Sequence, residues 1–239
     1  NVAADPLFTA SYTGVGGGMI IGVADDQGMH SSQNEQDSRH YAIAAKLPMV
    51  EPADSQECLD FVKYAYDLSE EYDTPVLFRT CTRVAHSQSI VETGERRERE
   101  LVPYQKNPQK YVMMPANAIG RHVVVEERMA RLAQLAETTP LNRIEMNDPK
   151  VGIITAGICY QYVKEAVPQA SVLKLGLINP LPVGLIRQFA QQVETLYVVE
   201  ELDPVIETFC RANGVAVTGG KELFGLLGEL SQRKVAEKL

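Results

Sequence analysis

Apolar and polar positions fall in distinct blocks along this chain, and the blocks predict different elements. Met19-Ile20-Ile21-Gly22-Val23-Ala24 is a continuous apolar run closed by Asp25-Asp26-Gln27-Gly28. That pattern predicts a strand buried on both faces and ended by a turn. A polar stretch over 30–39 leads into a helical segment over 41–45 and a short strand over 48–50. Asp54 or Ser55 can cap the helix predicted over 57–72, on which Leu59, Val62, Lys63, Tyr66 and Leu68 share a face. Thr74-Pro75 stops it, and Val76-Leu77-Phe78-Arg79-Thr80 is the next buried strand.

Beyond Pro103–Pro115 a long helix is predicted over 117–135, ending before Thr139-Pro140. From Lys150 the alternation becomes regular: strand 151–156, a turn at Gly157, helix 160–166, strand 171–175. Pro180-Leu181-Pro182 introduces helix 183–193, followed by strand 195–199, a short strand over 215–217 and a terminal helix. Strands separated by helices predict an α/β protein with two parallel-sheet, three-layer units. The expected division is an incomplete α/β layer over 1–102, a connecting segment with a helix over 103–148, and a complete unit over 149–239.

Composition narrows the function classes. The 239 residues are 45% hydrophobic and 23% charged, which supplies a core and argues against disorder or a fibre. No run approaches the roughly 18 apolar residues of a membrane helix, so no membrane partner is expected. A net charge of −8 argues against a nucleic-acid partner. Cys58, Cys81, Cys159 and Cys210 form no Cys-x-x-Cys pair, so their spacing supports neither zinc nor an iron–sulfur cluster. Free thiols fit a reducing, cytoplasmic compartment. The opening Asn1-Val2-Ala3-Ala4-Asp5 has neither Met nor a leader pattern, and it reads as cut from a longer chain.

Candidate chemistry concentrates after strand ends, where α/β folds bind ligands. The loop from Asp25 to Arg39 carries His30, Ser31, Ser32, Gln33, Asn34 and Arg39, a density of donors suited to a polar substrate or a partner surface. A solvated loop is the alternative. Arg83 and His86 follow the next strand, where Arg offers a two-pronged carboxylate grip and His a proton shuttle. Glu92 is a surface acid that can pair with Arg83 instead, and Ser87 beside His86 makes only a weak hydrolase-like pair. Gly14, Gly16, Gly17 and Gly18 precede a strand, the wrong order for a dinucleotide cradle, and read as a tight turn or close approach. His40 and His122 read as surface or packing residues. Glu200-Glu201 are an acid/base pair or, the favoured reading, acids that cap the next helix or bond a neighbouring unit. Glu95–Glu100 is a charge block expected to face solvent.

The string Ala24-Asp25-Asp26-Gln27-Gly28-Met29-His30-Ser31-Ser32-Gln33-Asn34-Glu35-Gln36-Asp37-Ser38-Arg39 resembles the indolepyruvate ferredoxin oxidoreductase alpha-subunit family. So do the opening 1–7, Tyr111-Val112-Met113 with Pro115-Ala116-Asn117, Leu141-Asn142-Arg143-Ile144-Glu145, and Val198-Val199-Glu200-Glu201-Leu202-Asp203-Pro204. The resemblance runs end to end. Pro52-Ala53-Asp54 before a helix, then Thr74-Pro75-Val76-Leu77, is similar to the pyrimidine-binding domain of transketolase-like enzymes, and the unit from Val151 to their C-terminal domain.

The resemblance implies thiamine-dependent oxidative decarboxylation of arylpyruvates, with coenzyme A taking the acyl group and ferredoxin the electrons. It also implies magnesium and [4Fe-4S] clusters in the intact enzyme, a second (beta) subunit, and further domains of the same subunit. The family's activating glutamate, its Gly-Asp-Gly…Asn-Asn motif and its cysteine-rich repeats have no match here. This stretch is therefore expected to be a central fragment, inactive alone, with no cofactor bound and no catalytic residue of its own. A pyruvate oxidoreductase, a transketolase relative or a non-catalytic interaction module of the same fold are the alternatives.

Overall fold

The computed structural model describes residues 2–96, 98 and 102–239. Of the charge block, Arg97, Arg99 and Glu100 lie outside the described residues. The first half contains α1 (Ala4–Thr13), β1 (Ile20–Asp25), α2 (Arg39–Ala45), β2 (Met49–Val50), α3 (Ser55–Tyr72), β3 (Val76–Cys81), α4 (Thr82–Ala85) and α5 (Pro108–Tyr111). Then come α6 (Pro115–Ala136), β4 (Arg143–Glu145), β5 (Asp148–Ala156), α7 (Ile158–Ala166), β6 (Ala170–Leu175) and β7 (Leu177–Asn179). The chain closes with α8 (Val183–Ala190), β8 (Thr195–Val199), α9 (Val205–Ala212), α10 (Lys221–Phe224) and α11 (Gln232–Ala236).

Two four-stranded sheets result, ordered β1-β3-β2-β7 and β4-β6-β5-β8. Three strands of each run parallel, while β7 and β4 join as antiparallel edges, so both sheets are mixed. The first sheet takes its last strand from residues 177–179, well beyond residue 102. The cause is local. Between β6 and β7 only Gly176 intervenes, so one extended segment passes from the second sheet into the first. A Cβ at Gly176 would lie 2.5 Å from the Leu141 carbonyl and 2.8 Å from the Phe61 ring, which is why the crossing needs glycine. Asn142 fixes it, its Oδ1 accepting from Gly176 N (2.9 Å) and Leu177 N (3.0 Å).

The main core belongs to both sheets. Met49 and Leu77 from the first pack with Ile154, Leu173 and Leu175 from the second, together with Phe189 and Ile206. Lys174 is fully buried between the halves, where Nζ donates to Glu57 (2.5 Å) above the Phe61 ring. Burial pushes its pKa down.

Local expectations met two differences. The buried stripe of α3 is Phe61, Ala65, Leu68 and Ser69, while Tyr66 is exposed. Asp54 caps that helix, accepting from Glu57 N at 2.8 Å. Residues 215–217 form no strand: Val215 N instead bonds the Cys210 carbonyl at the end of α9, and β8 is met two residues later by Thr218 and Gly219. The glycines at 14–18 make the turn between α1 and β1, and a Cβ at Gly14 would meet the Asp73 carboxylate. No described helix is long and apolar enough to cross a membrane.

Candidate active site

The parallel strands of the two sheets end at one seam. Gln27 follows β1, Glu51 follows β2, Arg79 lies near the end of β3, Ala156 closes β5, and Glu200 and Glu201 follow β8. These residues, with Arg39, Ile158 and Cys159, line a void of about 10 Å³. Two buried arginines organise it. Arg79 Nε donates to Asp25 (2.6 Å) and its Nη1 to Glu51 (2.5 Å). Arg39 clasps Asp37 through Nε and Nη2, reaches Glu200 through Nη1 (2.5 Å), and bonds the carbonyls of Glu201 and Asp203.

Glu200 also accepts from Ile206 N and Glu207 N at the start of α9. It thus caps a helix and binds the other sheet's arginine at once. Burial pushes the Asp37 carboxyl up, but the bonds and charge of Arg39, with Arg79 further away, carry it down to about 2. Within this otherwise closed network Glu51 Oε2 and Arg79 Nη2 are buried without a partner among the described residues. One donor and one acceptor beside a water-sized void is the arrangement a bridging water satisfies.

Glu201 differs from its neighbour. Burial raises its carboxyl to about 7, Glu51 and Glu229 adding to the effect and Leu230 N and Arg79 opposing it. A carboxyl whose folded pKa exceeds its ordinary 4.5 gives stability that is complete below pH 4.5 and is lost as pH climbs through 7. Glu201→Gln should therefore match wild type below pH 4.5 and exceed it at pH 8, by up to ~3 kcal/mol. Urea unfolding across that range reads the difference, and parallel stability profiles for the two proteins would refute it.

The predicted site residues divide into four groups. Ser31, Ser32, Gln33 and Asn34 are exposed at the surface of the loop. Its shape comes from Asp26, which accepts from Ser31 N (2.8 Å), Ser32 N (3.0 Å) and Thr82 Oγ1 (2.7 Å). These bonds hold the Asp26 carboxyl well below the usual range. His30 and Arg83 form a second group: both bond Glu229, Arg83 through Nε at 2.8 Å and also Nη2, His30 through Nε2 at 3.1 Å. Glu92, the alternative partner, instead has its backbone N and O bonded by the Gln56 side-chain amide. Arg39 stands alone in the interior, 3% exposed. His86 is exposed past α4, and Ser87 Oγ donates to the Val84 carbonyl (2.8 Å). His40 bonds Asp203, and His122 stacks on Tyr12.

Sequence reading missed Asp25, Glu51 and Arg79 as partners. The available signal was a charged residue, Arg79, inside an apolar strand, which a core tolerates only when paired.

The described residues do not fit magnesium and a diphosphate. The seam void is too small, and of its carboxylates Glu51 and Glu200 are held by arginines while Glu201 accepts from Leu230 N. A roomier cavity of about 460 Å³ between α1, α2 and the β1 edge is lined by Leu7, Ile21, Val23, Tyr41 and Leu77 and has no charged side chain. Asp37, His40 and Asp203 come within 4.8 Å of one another, but Asp37 is clasped by Arg39 and His40 bonds Asp203.

No protein-family profile matches the chain. It is 43% identical over 237 aligned residues to indolepyruvate oxidoreductase subunit IorA of Methanothermobacter marburgensis, covering 96% of this chain and 38% of that protein. The Archaeoglobus fulgidus subunit is 42% identical (92% of this chain, 36% of that protein), and the Pyrococcus abyssi subunit 40% (100% and 40%). The chain thus spans about two fifths of the length of the curated relatives it matches. Among solved structures, a chain of 2-oxoglutarate:ferredoxin oxidoreductase from Magnetococcus marinus, with 2-oxoglutarate, coenzyme A and succinyl-CoA bound, superposes with a TM-score of 0.71. The match covers 99% of this chain and 50% of that one, and at 14% identity it speaks for the fold.

Proposed function

We infer from the chain's homology to part of the indolepyruvate oxidoreductase subunit IorA that it forms the non-catalytic α/β framework of an arylpyruvate:ferredoxin oxidoreductase. The identity of 38–43% to six such subunits carries this reading. In it, residues 1–102 are a partial pyrimidine-binding-like domain, 103–148 a connection, and 149–239 a transketolase C-terminal-like domain. Thiamine diphosphate supplies the carbanion chemistry when bound, gripped with magnesium by other domains of the same subunit. A beta subunit, [4Fe-4S] clusters, coenzyme A and ferredoxin complete the reaction, in the cytoplasm.

This chain's own residues do three things in that scheme. Arg39 ties the end of one sheet to the other through Glu200, while Arg79 pairs the ends of β1 and β2 within the first sheet. Asp26 shapes the 30–34 loop. His30, Ser31, Ser32, Gln33 and Asn34, with Arg83 and His86, face the substrate cleft and orient or exclude polar groups there.

The test is turnover. The full-length subunit with its partner should reduce ferredoxin when given indolepyruvate, coenzyme A and thiamine diphosphate, and this chain alone should not. Ser32→Ala with Gln33→Ala in the full enzyme should lower turnover about tenfold to a thousandfold, the usual worth of positioned groups, with folding intact. Unchanged steady-state kinetics would return the loop to solvent-facing polarity, and no indolepyruvate turnover by the wild-type complex would overturn the assignment itself.

A further inference from the structure

We propose that Arg83 and His30 form an anion-binding site for a carboxylate or phosphate, and that Glu229 of the same chain occupies it as a displaceable stand-in. The two side chains come from separate segments that follow strand ends, Arg83 from α4 after β3 and His30 from the loop after β1, and converge on one carboxylate. Arg83 presents two parallel N–H groups to Glu229, through Nε and Nη2. His30 Nε2 meets the Oε2 atom that Arg83 Nε also contacts. Toward a carboxylate that nitrogen can only donate. Three donors on two anionic oxygens is a geometry that any free carboxylate or phosphate edge satisfies equally well.

The backbone that carries the donors is fixed without help from Glu229. Asp26 binds Ser31 N and Ser32 N on one side and Thr82 Oγ1 on the other, so it ties the residues next to His30 to the residue next to Arg83. Glu35 adds a bond to Gly28 N at 2.7 Å. The site is also open. The side chains of Arg83 and His30 are 54% and 40% exposed, against 3% for Arg39 and Arg79.

The occupant, by contrast, sits where an exposed loop meets the core, with its side chain 26% exposed. Gly225-Leu226-Leu227-Gly228 precedes it, with Leu226 54% and Leu227 88% exposed. Beyond its own carboxylate, the segment is anchored on its far side by Leu230, 5% exposed and packed with Ile153, Val163 and Val235, by Leu230 N to Glu201, and by Lys234 Nζ to the Glu229 carbonyl. Exposed ion pairs of this kind add little to stability, so a ligand anion needs only modest affinity to replace Glu229. The site lies on the face assigned above to the substrate cleft. Its test needs no turnover, so it stands or falls separately.

The experiment titrates this chain with inorganic phosphate and, separately, with phenylpyruvate, following the Arg83 Nε–H and His30 ring signals by NMR. Glu229→Gln should bind at least one of the two at least tenfold more tightly than wild type. Adding Arg83→Gln to that variant should abolish the gain. Tighter phosphate binding would identify a phosphorylated ligand, and tighter phenylpyruvate binding a substrate carboxylate. The proposal fails if Glu229→Gln binds neither anion more tightly than wild type, or if the double variant retains the affinity.

Discussion

Arg39→Leu should make the chain about 3–5 kcal/mol easier to unfold at neutral pH, the usual cost of removing one member of a buried ion pair. The loss follows from what remains rather than from what is removed. Asp37 and Glu200, each 3% exposed as side chains, would keep their charges with the guanidinium gone, and two backbone carbonyls would lose their donor. Arg39→Lys should fall between, since an ammonium cannot reach Asp37, Glu200 and the carbonyls at once. Acid adds a check with a defined sign. Asp37 is held at about 2 against its ordinary 3.8, so its contribution is present above pH 3.8 and fades as pH falls through 2. The variant should lose that low-pH slope. An unfolding free energy for Arg39→Leu, from urea titration, within about 1 kcal/mol of wild type would show that the seam relaxes or hydrates, and the role given to Arg39 would be wrong.

Gly157→Ala is expected to cost about as much, roughly 3–5 kcal/mol, for a different reason. Gly157 has φ 52° and ψ −142°, a region close to glycine-only, and a Cβ there would lie 2.1 Å from Glu51 Oε1. That oxygen accepts from Arg79, so the methyl group must either strain the turn before α7 or break the Glu51–Arg79 pair. A double-mutant cycle separates the two. Combined with Glu51→Ala, the alanine at 157 should cost only its backbone strain, about 1–3 kcal/mol. An equal cost in both backgrounds would remove Glu51 from the explanation.

Elements that could be read from the sequence are those whose signal is local. β1, β3, β5, β6 and β8 each show as an apolar run, and α3 carries its cap at Asp54. β4 and β7 could not be read, because each is three residues long and exists through an antiparallel partner distant in sequence. α1 escaped notice because only Ser11 on it is buried and its first residue has no side-chain cap. The strand expected at 215–217 had the right composition, and both Val215 and Val217 are buried, but tertiary packing used those valines as core while the sheet took 218–219.

The candidate site shows the same division more sharply. Its most distinctive string, Ser31 to Arg39, reads as one polar loop, yet it serves two ends. Ser31–Asn34 lie at the surface, while Asp37 and Arg39 turn inward. Nothing in the spacing of that string announces that Arg39 meets Glu200, 161 positions away. The same limit applies to Arg83, whose partner Glu229 is 146 positions downstream.

The passage of the chain through Gly176 also governs how this body can move. A strand shared by two sheets, with Asn142 gripping both sides of the single residue between them, acts as an axle without play. Tilting one sheet against the other would shear those amide bonds and drag Leu173, Leu175 and Leu177 out of their packing together. Heat should therefore find no hinge here, and the two halves should melt in one calorimetric event with no half-folded intermediate. Any larger swing must pivot on loops at the rim of this body, with the paired sheets serving as the fixed bearing.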